Sequence, residues 1–159
     1  MKLTILHTND LHGHLAPWQG WEGDLKGKSI GGLGVLGGAI AAVRKEVGEC
    51  LLLDAGDSIG DTMIADLTKG KAFIAALNHL RYDALTIGNH EPDFGMEVLR
   101  ERIAEAKFPV VAANLVNEED KSVLTKPYVT SKWVMFAWEY WAWRIQKRRK
   151  RLRIETLPA

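Results

Sequence analysis

The sequence of 159 residues predicts an α/β fold, a layered sandwich in which parallel strands alternate with helices. Short apolar stretches alternate along the chain with stretches whose apolar residues recur at helical spacing. Polar residues directly follow three of the apolar stretches, beginning at Asn9, Asp54 and Gly88. This is the pattern of an open parallel sheet, whose ligand crevice lies beyond the carboxyl ends of its strands.

Four strands and three helices account for the first 113 residues. The strands are predicted over 2–8, 50–54, 84–87 and 109–113. The helices are predicted over 33–47, 73–80 and 96–103. Gly48 stands where a glycine commonly ends a helix, and residues 15–32 are expected to form a loop. We expect helices on both faces of the sheet, as in most parallel sheets.

Residues that bind metal ions follow three of these strands. Asp10 and His12 follow the first strand, and they would point to the same face if strand geometry continued. Asp57 follows the second strand, with Asp54 as an alternative ligand that could instead cap a turn. Asn89 follows the third strand, where a simple turn is the alternative. Oxygen and nitrogen donors of this kind favour Mn, Zn, Fe or Co, and pairs of such ions hydrolyse phosphate esters.

The composition excludes several classes of protein. A single cysteine, Cys50, excludes an internal disulfide framework. No apolar run reaches the roughly 20 residues that a transmembrane helix needs. No signal peptide precedes the first strand, so the chain as written is expected to be cytoplasmic. The segment from Gly32 to Gly37 matches a dinucleotide fingerprint, but it follows a loop rather than a strand.

The segments around the metal-binding candidates resemble the 5′-nucleotidase family of calcineurin-like metallophosphoesterases. The similar segments are 5–13, 56–57, 88–95, 108–115 and 126–128. The resemblance covers residues 2–130, within a partial domain that we place at 1–131. Pro92 stands where the family usually has an aromatic residue.

The resemblance implies a four-layered α/β domain that holds two divalent metal ions, which could be Mn, Zn, Co or Fe. Asp10 and His12 would bind the first ion, and Asn89 would bind the second. Asp57 would bind both ions. Two ions that share a carboxylate can activate a water molecule for in-line attack on phosphorus.

The resemblance also implies the catalytic residues. His90 would face the phosphate group and protonate the leaving oxygen, and Asp93 would orient His90. His14 is a further candidate for the edge of the pocket. The substrate would be a nucleotide or another phosphate ester, with no specific nucleic-acid partner. Hydrolases of sulfur esters and of cyclic phosphodiesters share these motifs, so the substrate stays open, and the substrate-binding residues are not identified.

The chain departs from the family in its second half. None of its five histidines follows His90, whereas the family uses later histidines to complete both metal sites. We therefore interpret the chain as the N-terminal half of a catalytic domain, with an incomplete metal site and little activity. Family members are often periplasmic or extracellular, which is the alternative to a cytoplasmic location.

Residues 132–159 have a different composition. They contain four of the six Trp residues and eight of the 21 Lys and Arg residues. Codons shifted by two nucleotides from Met135 can encode Val-Arg-Val-Gly-Ile-Leu-Gly-Val, an apolar strand like the one that the family has there. We interpret this tail as frameshifted and poorly packed. The alternative is a small binding protein whose tail forms an interfacial helix on anionic membranes or nucleic acid.

We expect that a chain ending at Thr130 is more soluble than the full chain, because removing the tail removes an exposed aromatic surface. The far-ultraviolet circular dichroism of the remaining domain should not change. Solubility and melting temperature, measured for both chains side by side, test this. A sharp fall in melting temperature on truncation would show that the tail belongs to the core.

Overall fold

The computed structural model describes residues 3–117 and 120–130, together with the backbone of residues 144–148 and 151–155. The strands of this part of the chain are β1 (Ile5–Thr8), β2 (Trp18–Gln19), β3 (Ser29–Ile30), β4 (Leu51–Asp54), β5 (Ala84–Thr86), β6 (Val110–Val111), β7 (Arg144–Arg148) and β8 (Arg151–Glu155). Its helices are α1 (Leu33–Val47), α2 (Met63–Thr68), α3 (Lys71–Leu80) and α4 (Met96–Glu105), with a short 3-10 helix at Gly23–Leu25.

The central sheet has four parallel strands in the order β1-β4-β5-β6. Leu6 lies beside Leu52, and Leu85 lies between Asp54 and Val110. The predicted parallel α/β architecture is therefore confirmed. Each strand is shorter than predicted, and all four carboxyl ends lie along one edge of the sheet.

The helices lie on one face of this sheet. Each new strand adds to the same side of the sheet, and right-handed crossovers then place every helix on the same face. α3 accordingly contacts both α1 and α4. The expectation of helices on both faces is wrong for the described residues, because the strand order never reverses. On the opposite face, Leu51, Ala84 and Val111 are buried, Leu53 is half-buried and His7 is exposed.

The hydrophobic core lies between the sheet and these helices. It contains Leu52 and Leu85 from the sheet, and Ile40, Leu77 and Leu99 from the helices. Leu77 is fully buried and Leu99 is 1% exposed. Burying a leucine side chain of this kind stabilises the fold by roughly 1.5–3 kcal/mol.

Within the first 113 residues, β2, β3, α2 and the short 3-10 helix were not predicted from the sequence. β2 and β3 form an antiparallel pair within the expected loop, but each has only two residues and thus no visible alternation. α2 buries only Ala65, whereas Met63 and Leu67 are exposed, so it has no apolar stripe. Its one local signal is Thr62, whose hydroxyl caps the helix by accepting a hydrogen bond from the Ala65 amide.

Residues 132–159, interpreted above as a frameshifted and poorly packed tail, lie mainly outside the described residues. In this part, the structure gives only the backbone of β7 and β8, which pair antiparallel. These residues are strands, so the interfacial helix is wrong for 144–148 and 151–155. Among the described residues, none of the helices combines the length and the apolarity needed to cross a membrane.

Candidate metal centre

Three loops at the carboxyl edge of the sheet carry the candidate residues. We call them loop A (residues 9–14, after β1), loop B (residues 55–62, after β4) and loop C (residues 88–95, after β5). Loops A and B continue the pairing of their strands. The amides of Asp10, His12 and Gly13 donate to the carbonyls of Gly56, Asp57 and Ser58 at 3.0, 3.0 and 2.8 Å.

The ligand candidates have an unusual backbone conformation. Asp10, His12 and Asp57 have φ values of 52°, 45° and 53°, in the left-handed region. This conformation costs on the order of 1 kcal/mol for a residue with a side chain. Strand geometry therefore does not continue through Asp10 and His12, because β1 ends at Thr8. The two side chains meet through the turn instead, with Nε2 of His12 3.6 Å from Oδ1 of Asp10.

Asp57 lies between loop A and loop C. One ligand atom from each of Asp10, His12 and Asp57 lies within 4.8 Å of the other two. Oδ1 of Asp57 also accepts a hydrogen bond of 2.9 Å from the amide of His90. Loop C can pass this close because Gly88 has no side chain, since a Cβ there would collide with the Asp57 carboxylate. Asp57 thus contacts both neighbouring loops.

His90 forms a hydrogen-bonded pair with Asp93. Nδ1 of His90 lies 2.7 Å from Oδ2 of Asp93, and the two residues are three apart in the chain. This hydrogen bond raises the pKa of His90 above its ordinary value, although partial burial opposes the shift. The ring of His90 also makes an edge contact with the ring of His12, at 4.7 Å between centroids.

The remaining candidates occupy different positions. Asn89 is half-buried in loop C, between Gly88 and His90, and therefore beside the residues that approach Asp57. His14 is exposed at the end of loop A. Asp54 is fully buried and accepts hydrogen bonds from Thr8 Oγ1 at 2.5 Å and Gly56 N at 2.9 Å. Asp54 therefore stabilises the turn into loop B. This is the turn-capping role that the sequence offered as an alternative to metal binding.

Sequence reasoning missed Asp61 in loop B. Its Oδ2 lies 2.6 Å from Nδ1 of His12. Ligand atoms of His12, Asp61 and His90 also lie within 4.8 Å of one another. The only sequence signal is an acidic residue directly before the Thr62 helix cap, and this does not indicate a distant partner.

Sequence reasoning also missed Glu91, which is 3% exposed. Its carboxylate accepts hydrogen bonds from the amides of Asp57, Ser58, Ile59 and Gly88, at 3.1, 2.8, 3.3 and 2.6 Å. Burial raises the pKa of Glu91 from 4.5 to about 6, although these hydrogen bonds oppose the shift. Glu91 thereby joins loop B to loop C beneath the candidate ligands.

Known proteins resemble this chain over most of its length, although no protein-family model matches it. Protein UshA of Escherichia coli (strain K12) is 36% identical over 139 residues, which is 85% of this chain and 23% of UshA. Human 5′-nucleotidase is 41% identical over 119 residues, which is 72% of this chain and 20% of the human protein.

A solved structure is also similar. The crystal structure of a 5′-nucleotidase precursor from Thermus thermophilus has a TM-score of 0.70 and 33% identity, and the match covers 80% of this chain and 25% of that one. The chain therefore spans between 20% and 25% of the length of these three proteins.

The titration of Glu91 predicts a pH-dependent stability. Because the folded-state pKa of this acid is raised from 4.5 to about 6, the folded state binds the proton more tightly than the unfolded state. Stability from Glu91 is therefore greatest below about pH 4.5 and falls by about 2 kcal/mol as the pH rises through 6.

Urea unfolding of the metal-free chain, in the presence of a chelator and at several pH values, measures how the free energy of unfolding depends on pH. The free energy of unfolding of the wild type should fall relative to Glu91→Gln by about 2 kcal/mol between about pH 4 and about pH 7. The exposed Glu97→Gln variant controls for the loss of a surface carboxylate. A pH-independent difference between the wild type and Glu91→Gln would contradict the prediction.

Proposed function

Because the chain belongs to the 5′-nucleotidase family of calcineurin-like metallophosphoesterases and matches the N-terminal part of its members, we propose that loops A to C bind divalent metal ions for the hydrolysis of nucleotide phosphate esters. The observation that carries this proposal is the convergence of Asp10, His12 and Asp57, whose ligand atoms lie within 4.8 Å of one another at the carboxyl edge of the sheet.

The donor atoms fit a divalent metal ion. Two donors at roughly 2.0–2.2 Å from one ion cannot be more than about 4.4 Å apart. Nε2 of His12 and Oδ1 of Asp10 meet this limit at 3.6 Å, a separation too long for a direct hydrogen bond. Carboxylate, imidazole and amide groups together suit Mn, Zn, Co or Fe better than a thiolate-binding metal.

In this proposal each loop supplies part of a two-ion site. Asp10 and His12 of loop A would bind one ion, Asn89 of loop C would bind the other, and Asp57 would bind both. The contacts of Asp57 with loop C support its shared role. Such ions supply Lewis-acid activation of phosphate and of a water nucleophile.

His90 would act on the leaving group. The Asp93 hydrogen bond at Nδ1 leaves Nε2 as the ring nitrogen that can donate a proton to an ester oxygen. The raised pKa of His90 increases the fraction that carries this proton near neutral pH. The substrate in this proposal is a nucleotide, as the names of the similar proteins suggest, and sulfur esters and cyclic phosphodiesters are the alternatives.

We expect the wild-type chain to bind Mn²⁺, and Asp57→Asn to bind it at least tenfold more weakly, because an amide cannot replace a shared carboxylate. Asn tolerates the left-handed backbone of residue 57, so the substitution leaves the loop unstrained. Isothermal titration calorimetry measures the affinity, with Asp24→Asn as the control at an exposed acid outside the cluster. Equal affinities of wild type and Asp57→Asn would contradict the proposed site.

We expect the 159-residue chain alone to release negligible phosphate from AMP in the presence of Mn²⁺, Co²⁺ or Zn²⁺. The reason is that no histidine follows His90 to complete the metal sites. A colorimetric phosphate assay measures the release. Steady turnover that disappears in His90→Ala would show that the chain is active, and that other residues complete the site.

A further inference from the structure

His12 has a carboxylate partner on each side of its ring. Asp61 Oδ2 lies 2.6 Å from Nδ1, which is hydrogen-bond distance. Asp10 Oδ1 lies 3.6 Å from Nε2, which is beyond it. The hydrogen bond therefore forms on the Nδ1 side and leaves Nε2 facing Asp10.

Hydrogen bonds of nearby residues connect the segment of Asp61 to loop A. Thr62 Oγ1 donates to the carbonyl of Gly13, the residue after His12, at 3.1 Å. The amide of Gly13 in turn donates to Ser58 O at 2.8 Å. Asp61 itself has a φ of 54°, in the left-handed region. The segment that carries Asp61 is thus attached to the segment that carries His12.

The pair repeats the geometry of the other histidine in the site. His90 uses Nδ1 for Asp93 at 2.7 Å, and His12 uses Nδ1 for Asp61 at 2.6 Å. In the first pair the partners are three residues apart, and in the second they are 49 apart. A carboxylate on one ring nitrogen sets the tautomer and makes the other nitrogen a better metal ligand.

We infer that Asp61 is a positioning residue for the metal centre: it holds His12 as the Nδ1–H tautomer and thereby presents the Nε2 lone pair beside Asp10. This inference rests on the proposed function, which makes His12 a ligand. Asp61 acts through His12 and does not bind the ion itself. Its loss should therefore weaken metal binding without removing a ligand.

Two substitutions separate the carboxylate from the backbone that carries it. Asp61→Gly removes the side chain at a left-handed position that glycine adopts freely. Asp61→Asn keeps an oxygen that can accept from Nδ1–H, and Asn also tolerates this conformation. Asp93→Ala is the matched control, because it removes the equivalent carboxylate from His90. Circular dichroism establishes that each variant is folded.

The first measurement needs no metal. Long-range ¹⁵N–¹H correlation spectra of the histidine-labelled full chain, in chelator and above the imidazole titration range, report the tautomer of His12. We expect Nδ1–H in the wild type and in Asp61→Asn, and a shift toward Nε2–H in Asp61→Gly. Asp93→Ala should change the His90 signals and leave the His12 tautomer as in the wild type.

The second measurement is Mn²⁺ affinity by calorimetry. Asp61→Gly should bind Mn²⁺ about 10–100-fold more weakly than the wild type does. Asp61→Asn should lose less Mn²⁺ affinity than Asp61→Gly. An unchanged His12 tautomer in Asp61→Gly would overturn the inference. The inference would also be overturned if Asp61→Asn lost as much Mn²⁺ affinity as Asp61→Gly, since Asp61 would then be a direct ligand. If even the wild type binds no Mn²⁺ but the tautomer shifts, the positioning role stands and the proposed function fails.

Discussion

The three loops depend on two buried carboxylates that accept hydrogen bonds from the surrounding chain. Glu91 joins loop B to loop C through four amides, and Asp54 joins the end of β1 to loop B through Thr8 and Gly56. A buried carboxylate without such donors would cost several kcal/mol, so each one requires its loops to stay close. The carboxylates of Glu91 and Asp54 therefore set the spacing of the metal-binding candidates.

This arrangement also maintains strained residues. Three candidate ligands have left-handed backbone conformations, which an isolated loop would avoid. The hydrogen bonds between loops A and B and the Glu91 carboxylate hold these residues in place. Backbone strain at a site that is held from several sides is typical of functional loops. These hydrogen bonds are concentrated at the edge of the sheet where the candidate ligands meet.

The one-sided helix layer relates the site to the rest of the family. All the described helices pack on one face, so the described residues contribute the central sheet and one helical layer. This agrees with a match that covers 20–23% of the length of two similar proteins, in their N-terminal part. His90 is the last histidine of this chain, and the proposed ligands all lie in loops A to C.

The sequence by itself determined the elements whose signals are local. These are the parallel strands, the three predicted helices, and the polar residues that follow three of the strands, together with the i,i+3 spacing of His90 and Asp93. Tertiary structure alone decided the side of the sheet that the helices cover, the role of Glu91 and the pairing of Asp61 with His12. Glu91 contacts residues 32 to 34 positions away, and Asp61 contacts one 49 away. Local periodicity holds no information about such contacts, because they depend on how the loops converge after the sheet has formed.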